Sequence, residues 1–201
     1  MTRLRIVGIG DSTTAGTPGF LSPLEAPPNG RGNPESQYAY WMMILHPDWP
    51  VLNRGINGQR SAQILSRFQK DVLQQKPDYV IILAGVNDVY QGHSQESLKR
   101  NLHTMYKMAM NAKINALAAT ILPYNTMSAS EAKAIKQLNI WIKDTAKELK
   151  ILFCDTNGAV ADPTNPDRLQ SSPDGLHPDI SGYRAMGEAL AKVVERHTST
   201  R

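Results

Sequence analysis

The feature that most constrains the fold is an alternation. Five short apolar runs, residues 4–9, 51–53, 79–83, 116–121 and 151–153, are separated by longer stretches whose apolar positions recur at helical spacing. The runs are continuously apolar rather than alternating, which suits strands of a parallel sheet covered on both faces. Ile64, Leu65, Phe68 and Val72 form one helical stripe, and Leu98, Leu102, Met105 and Ala109 form a second. Ser128 and Glu131 have capping-box spacing ahead of a third stripe of Ile135, Leu138, Ile142 and Leu149. A last helix is predicted over 181–197, with Tyr183, Met186, Leu190 and Val193 on its buried face. Strands and helices in this order predict a three-layer α/β/α sandwich around a five-stranded parallel sheet.

Length and composition narrow the function classes. The 201 residues suit one domain, 1–201, with a sizeable core. Apolar residues make up 41% and charged residues 20%, the balance of a folded chain rather than a disordered one. Twenty-two basic residues face 18 acidic ones, and they are scattered rather than gathered on one stretch, which argues against nucleic acid as a partner. The one cysteine, Cys154, excludes an intrachain disulfide and offers no zinc-finger spacing. No apolar run approaches the ~20 residues of a membrane span, so no stable membrane insertion is expected. The first strand pattern begins within a few residues of Met1, with no signal-peptide pattern ahead of it. As given, the chain reads as cytoplasmic, or as one from which an export signal has been removed.

The strand ends hold the polar residues. The first run finishes in Gly10-Asp11-Ser12, ordinary turn residues that nevertheless set a carboxylate and a hydroxyl side by side. A dinucleotide fingerprint starting at Gly8 fails because Thr13 stands where the third glycine belongs. A phosphate-loop motif is missing, and so is the G-x-S-x-G nucleophile elbow, since Thr14 replaces its second glycine. The second run leads to Asn57-Gly58, the third to Gly85-Val86-Asn87-Asp88, and Asp174-Gly-Leu-His177-Pro178 precedes the last helix. Each block alone is an ordinary turn.

The four blocks in this order resemble the SGNH (GDSL-type) hydrolases, serine esterases and lipases named for Ser, Gly, Asn and His. They extend from residue 10 to 178, with Thr13 in place of the leucine of the GDSL name. In a flavodoxin-like sheet of order 2-1-3-4-5, strands two, one and three are neighbours. Their loops would then set Gly58, Ser12 and Asn87 side by side at the switch point. Acyl transfer needs an activated hydroxyl, a base, and donors for the developing oxyanion. Ser12 is expected as nucleophile, His177 as general base and then acid, and Asp174 as the group that holds the imidazole tautomer. The N–H groups of Ser12 and Gly58 with the side-chain NH₂ of Asn87 are the expected oxyanion hole. Asp11 is expected to shape the turn, outside the chemistry. The resemblance implies a small-molecule ester as substrate, acetylated sugars among the candidates, and neither a cofactor nor a metal.

Two further site residues are expected. Gln59, in the Gln59-Arg60 pair after Gly58, falls in a variable part of the family's site and is taken as substrate-binding. Residues 17–34 hold five prolines and three glycines directly after Ser12, with Phe20, Leu21 and Leu24 as an apolar trio. This loop is expected to wall the acyl pocket, with Phe20 against the substrate. Two rival readings use the same residues. One is a metal-dependent hydrolase holding its ion on Asp11, Asn87, Asp174, His177 and Asp179. The other is a flavodoxin-like binding module without turnover.

Overall fold

The computed structural model describes residues 3–28 and 30–200. It begins with strand β1 (Ile6–Gly10), the short helix α1 (Ser12–Ala15), and a two-strand hairpin of β2 (Phe20–Leu21) and β3 (Arg31–Gly32). Helix α2 (Tyr38–Leu45), β4 (Val51–Gly55), α3 (Ser61–Ser66), α4 (Phe68–Asp71) and β5 (Tyr79–Leu83) follow. Then come α5 (Val86–Tyr90), α6 (Gln95–Asn111), β6 (Asn115–Ala119), α7 (Ala129–Leu149) and β7 (Leu152–Cys154). The chain closes with α8 (Thr156–Val160), a second hairpin of β8 (Ala161–Asp162) and β9 (Asn165–Leu169), and α9 (Ile180–Ser199).

The main sheet is five parallel strands in the order β4-β1-β5-β6-β7, the flavodoxin-like 2-1-3-4-5 arrangement. Every residue of β1 and β5 is buried, as continuous apolar runs at the sheet centre require. Helices α2, α8 and α9 pack together on one side, while α3, α6 and α7 pack together on the other. Ser128 begins α7 with the expected reciprocal bonds: its Oγ accepts from the Glu131 N–H, and the Glu131 carboxylate accepts from the Ser128 N–H. Cys154 is buried, and burial pushes its thiol up to about 12, so it stays protonated and unreactive.

Two expectations need correction. The stripe from Ile64 to Val72 is not one helix. It breaks at Arg67, whose backbone (φ −103°, ψ 3°) leaves the helical range where its side chain turns inward to the strand ends. The second concerns Phe20. Antiparallel pairing of Phe20 with Gly32 turns its ring onto Gly30 inside the hairpin, where a Cβ on Gly30 would meet Phe20 Cζ at 2.4 Å. Phe20 is therefore buried away from the Ser12 cleft, and the aromatic ring satisfies its own loop instead of walling an acyl pocket.

Candidate active site

The strand order reverses at β1: the chain leaves it for β4 on one side and later returns to β5 on the other. Gly10 pairs with Gly55 and with Leu83, so the loops after all three strands emerge together. They bring Ser12, Gly58 and Asn87 to one cleft of about 650 Å³, part of it open to solvent. The approach of α1 to β4 depends on Gly55, since a Cβ there would lie 2.1 Å from the Ala15 nitrogen. Asn53 fixes the same contact by donating its Nδ2 to the Ala15 carbonyl at 3.0 Å.

Ser12 is the first residue of α1, and its side chain is almost wholly buried. The imidazole of His177 reaches it from the loop before α9, with Nε2 2.8 Å from Ser12 Oγ. Asp174 shapes that loop: its Oδ1 accepts from the N–H groups of Leu176 and His177 at 2.8 Å each. Its Oδ2 lies 2.7 Å from His177 Nδ1. With Nδ1–H donated to the carboxylate, Nε2 is left bare to accept from the Ser12 hydroxyl. Burial works to raise the Asp174 carboxyl, but the His177 side chain and the two N–H donors outweigh it and hold the group below the usual carboxylate range. The loop is tied down at Gly175, whose carbonyl accepts from the Asn125 N–H at 2.7 Å. Ser172 Oγ likewise donates to the His177 carbonyl at 2.6 Å.

Gly58 has φ +72°, a left-handed conformation that favours glycine, and a Cβ there would project into open space. Among the described residues, neither the Ser12 N–H nor the Gly58 N–H donates to a protein acceptor. Asn87 Nδ2 donates one hydrogen to the Gln59 carbonyl at 3.1 Å, which aims the amide and leaves its second hydrogen to the cleft. Asp88 holds the neighbouring turn by accepting from the Ser61 N–H and Oγ at 2.8 and 2.7 Å.

Asp11 faces inward. Its Oδ1 accepts from the Thr13 N–H at 3.0 Å and caps α1. Burial pushes its carboxyl up to about 7, and the nearby Asp88 adds to the rise. Asp179 likewise caps α9 through the Gly182 N–H. Two carboxylates of the metal reading thus cap separate helices, and the third, Asp174, is taken up by the His177 loop and ring. Among the described residues no three His, Cys, Asp or Glu side chains converge as a ligand set.

Gln59 does not line the cleft; its Oε1 accepts from Arg67 Nε at 2.7 Å, turning the side chain away from the opening. Tyr90 and Tyr124, which carry no signal in the sequence, do line it. Tyr124, from the segment after β6, packs edge-on against Tyr90 of α5 with ring centroids 5.7 Å apart. Val86, Leu176 and Thr17 complete the wall. The proline-rich loop meets the site through polar groups: Thr17 Oγ1 donates to Asn57 Oδ1 at 2.5 Å, and Glu25 Oε1 accepts from the Asn57 N–H at 3.0 Å.

A doubly wound sheet with a Ser–His–Asp relay at its switch point defines a class of hydrolases, and the comparisons agree. The family model for GDSL-like lipases and acylhydrolases matches residues 9–185, and the chain belongs to that family. It is a carboxylic ester hydrolase. An acetylxylan esterase of Geobacillus stearothermophilus is 24% identical over 194 residues, covering 82% of this chain and 88% of that one. The structure of a G-D-S-L family lipolytic protein from Desulfitobacterium hafniense superposes with a TM-score of 0.79 at 28% identity, covering 94% of this chain and 99% of that one. A GDSL-like lipase from Bacteroides thetaiotaomicron gives 0.75 at 26% identity, with 97% and 89% covered. Among the described residues, no helix is long and apolar enough to cross a membrane.

Proposed function

We propose that the chain cleaves small carboxylic esters, acetyl esters of saccharides foremost, through an acyl-enzyme on Ser12. The observation that carries the reading is the continuous relay from Asp174 Oδ2 through the His177 ring to Ser12 Oγ, at 2.7 and 2.8 Å. His177 Nε2 takes the hydroxyl proton as Oγ attacks the ester carbonyl, and the C–O bond to the alcohol breaks as the same nitrogen returns that proton to the leaving oxygen. Water then repeats the sequence on the acyl-enzyme, and Ser12 leaves as the free hydroxyl. Negative charge on the carbonyl oxygen is met by the Ser12 and Gly58 N–H groups and by Asn87 Nδ2. Asp174 stays ionised and stabilises the imidazolium.

The substrate class follows from the wall. Tyr90 presents a half-exposed ring at the rim, and Tyr124 lies buried behind it. An aromatic face beside an ester pocket suits an alcohol that presents a C–H face, such as a pyranose chair. The acetylxylan esterase among the relatives supports that choice. The test is a panel of aryl esters of graded acyl length run beside acetylated xylo-oligosaccharides, with a serine-directed phosphonate to locate the nucleophile by mass. Labelling at Ser12 and highest kcat/KM on acetyl esters are expected. A label on another residue would remove the mechanism, and a preference for acyl chains of eight or more carbons would remove the substrate class.

A further inference from the structure

The break in the helical stripe at Arg67 coincides with a dense polar junction. The Arg67 side chain is only 12% exposed and makes four hydrogen bonds. Nη2 donates to the Gly10 carbonyl at 2.8 Å, and Nη1 to the Arg54 carbonyl at 2.8 Å and to Asp71 Oδ2 at 2.9 Å. Nε donates to Gln59 Oε1 at 2.7 Å. Gly10 lies two residues before Ser12, Arg54 is the penultimate residue of β4 and four residues before Gly58, and Gln59 follows Gly58 directly. The Gln59 carbonyl is in turn the acceptor that orients Asn87. One guanidinium therefore touches, directly or through Gln59, the chain around every donor assigned to the oxyanion hole.

We propose that Arg67 is a positioning residue for the ester hydrolysis, holding the Ser12 turn and the Gly58 loop in one frame. The inference rests on the Ser12 reading given above. The physical case lies in geometry. Three loops from three strands must agree on one point in space, and misplacement by about 1 Å costs on the order of 10² in rate. A planar fork with fixed donor directions can bind two strand-end carbonyls and a side-chain amide at once, whereas an ammonium on a flexible stem cannot reproduce those directions. Burial works against the Arg67 charge, with Asp71 as its main counterweight, so the junction is costly as a mere surface feature. Two of its four bonds end on strand-end carbonyls at the site rather than on groups of its own helix.

The experiment compares Arg67→Lys and Gln59→Ala with the parent enzyme, dividing kcat by the fraction of Ser12 that a phosphonate titrates. Misfolded molecules are thereby removed from the count. Gln59 is partly exposed, and its loss leaves the Arg67 bonds to Gly10 and Arg54 in place, so this variant reports even where Arg67→Lys fails to fold. Arg67→Lys is expected to lower kcat per titrated serine about 10- to 100-fold with KM within about twofold, and Gln59→Ala about 3- to 10-fold in the same manner. A kcat per titrated serine within twofold of the parent in both variants would overturn the proposal. So would a raised KM at unchanged kcat in Gln59→Ala, which would make Gln59 a substrate contact. Loss of the Ser12 reading itself would show separately, as a parent enzyme whose serine does not titrate.

Discussion

Ser12 Oγ and His177 Nε2 stand 2.8 Å apart although 165 residues separate them in the chain. The first lies where β1 enters α1 and the second in the loop ahead of α9. Both helix starts are fixed by carboxylate caps, Asp11 for α1 and Asp179 for α9. Between them, the Tyr183 hydroxyl of α9 donates to the Thr17 carbonyl at 2.7 Å, so the distance is set by scaffold and not by the two side chains alone.

That pairing predicts non-additive losses. Ser12→Ala and His177→Ala should each lower kcat by roughly 10⁴ to 10⁶, and the double variant by little more than either, because the two act as one unit. Thermal unfolding should stay near the parent value, since the Asp11 cap and the Asp174 turn remain. Retention of a tenth of the activity by Ser12→Ala would exclude the relay.

The oxyanion donors should separate by kinetic signature. Asn87→Ala removes a donor whose bond strengthens as charge develops, so kcat should drop about 10² to 10³ with KM little changed. Gly58→Ala keeps its N–H but carries a Cβ at φ +72°, where a side chain costs about 1 kcal/mol, and sends a methyl into the open cleft. Steady-state kinetics on acetyl and butyryl esters should show Gly58→Ala hurting the larger acyl group more. An equal loss on both would place the methyl outside the acyl path.

How much of this was legible depended on what each residue answers to. The five strands could be read because buried parallel strands are continuously apolar, and the 79–83 run coincides with β5, while their order came from the flavodoxin-like fold that the family resemblance implied. The β8–β9 hairpin could not be read, because Asn165 to Arg168 are exposed and carry no apolar period. Ser12, Gly58, Asn87, Asp174 and His177 stood out as turn residues at strand ends. Tyr124 did not, since an aromatic after a strand looks like core and only the fold turns it toward the cleft. Phe20 misled for the opposite reason: an apolar residue in a polar loop seeks cover, and its own hairpin supplied it. Arg67 lay hidden inside a helical stripe, because a long polar side chain there ordinarily points to solvent.

The proline-rich loop should therefore act on the site through polar contacts and not through Phe20. Phe20→Ala should loosen the hairpin by about 3 to 5 kcal/mol. Amide exchange at Asn33, whose N–H donates to the Gly19 carbonyl at 2.7 Å, should quicken while the acyl-length profile stays unchanged. Glu25→Ala frees the Asn57 N–H and should lower kcat several-fold on every ester in the panel. A changed acyl preference in Phe20→Ala would return that ring to the pocket wall.

Asp11 should make stability depend on pH across the neutral range. Its carboxyl titrates at about 7 in the folded chain because burial opposes its charge, against an ordinary value of 3.8 when unfolded. Between those values the folded state holds a proton that the unfolded state has released. The stabilisation is complete below 3.8, declines as pH rises towards 7, and is flat above. The whole change is worth about 4 kcal/mol, of which about 3 falls between pH 5 and 8. Asp174, shifted the other way, contributes above the ordinary carboxylate range and acts only in more acid solution. Asp11→Asn keeps an oxygen for the Thr13 N–H and removes the titration. Urea unfolding at the two pH values should show the variant gaining on the parent by about 3 kcal/mol at pH 8 relative to pH 5. An equal difference at both pH values would mean that the Asp11 carboxylate is ionised throughout, with a partner in the fold that compensates its burial.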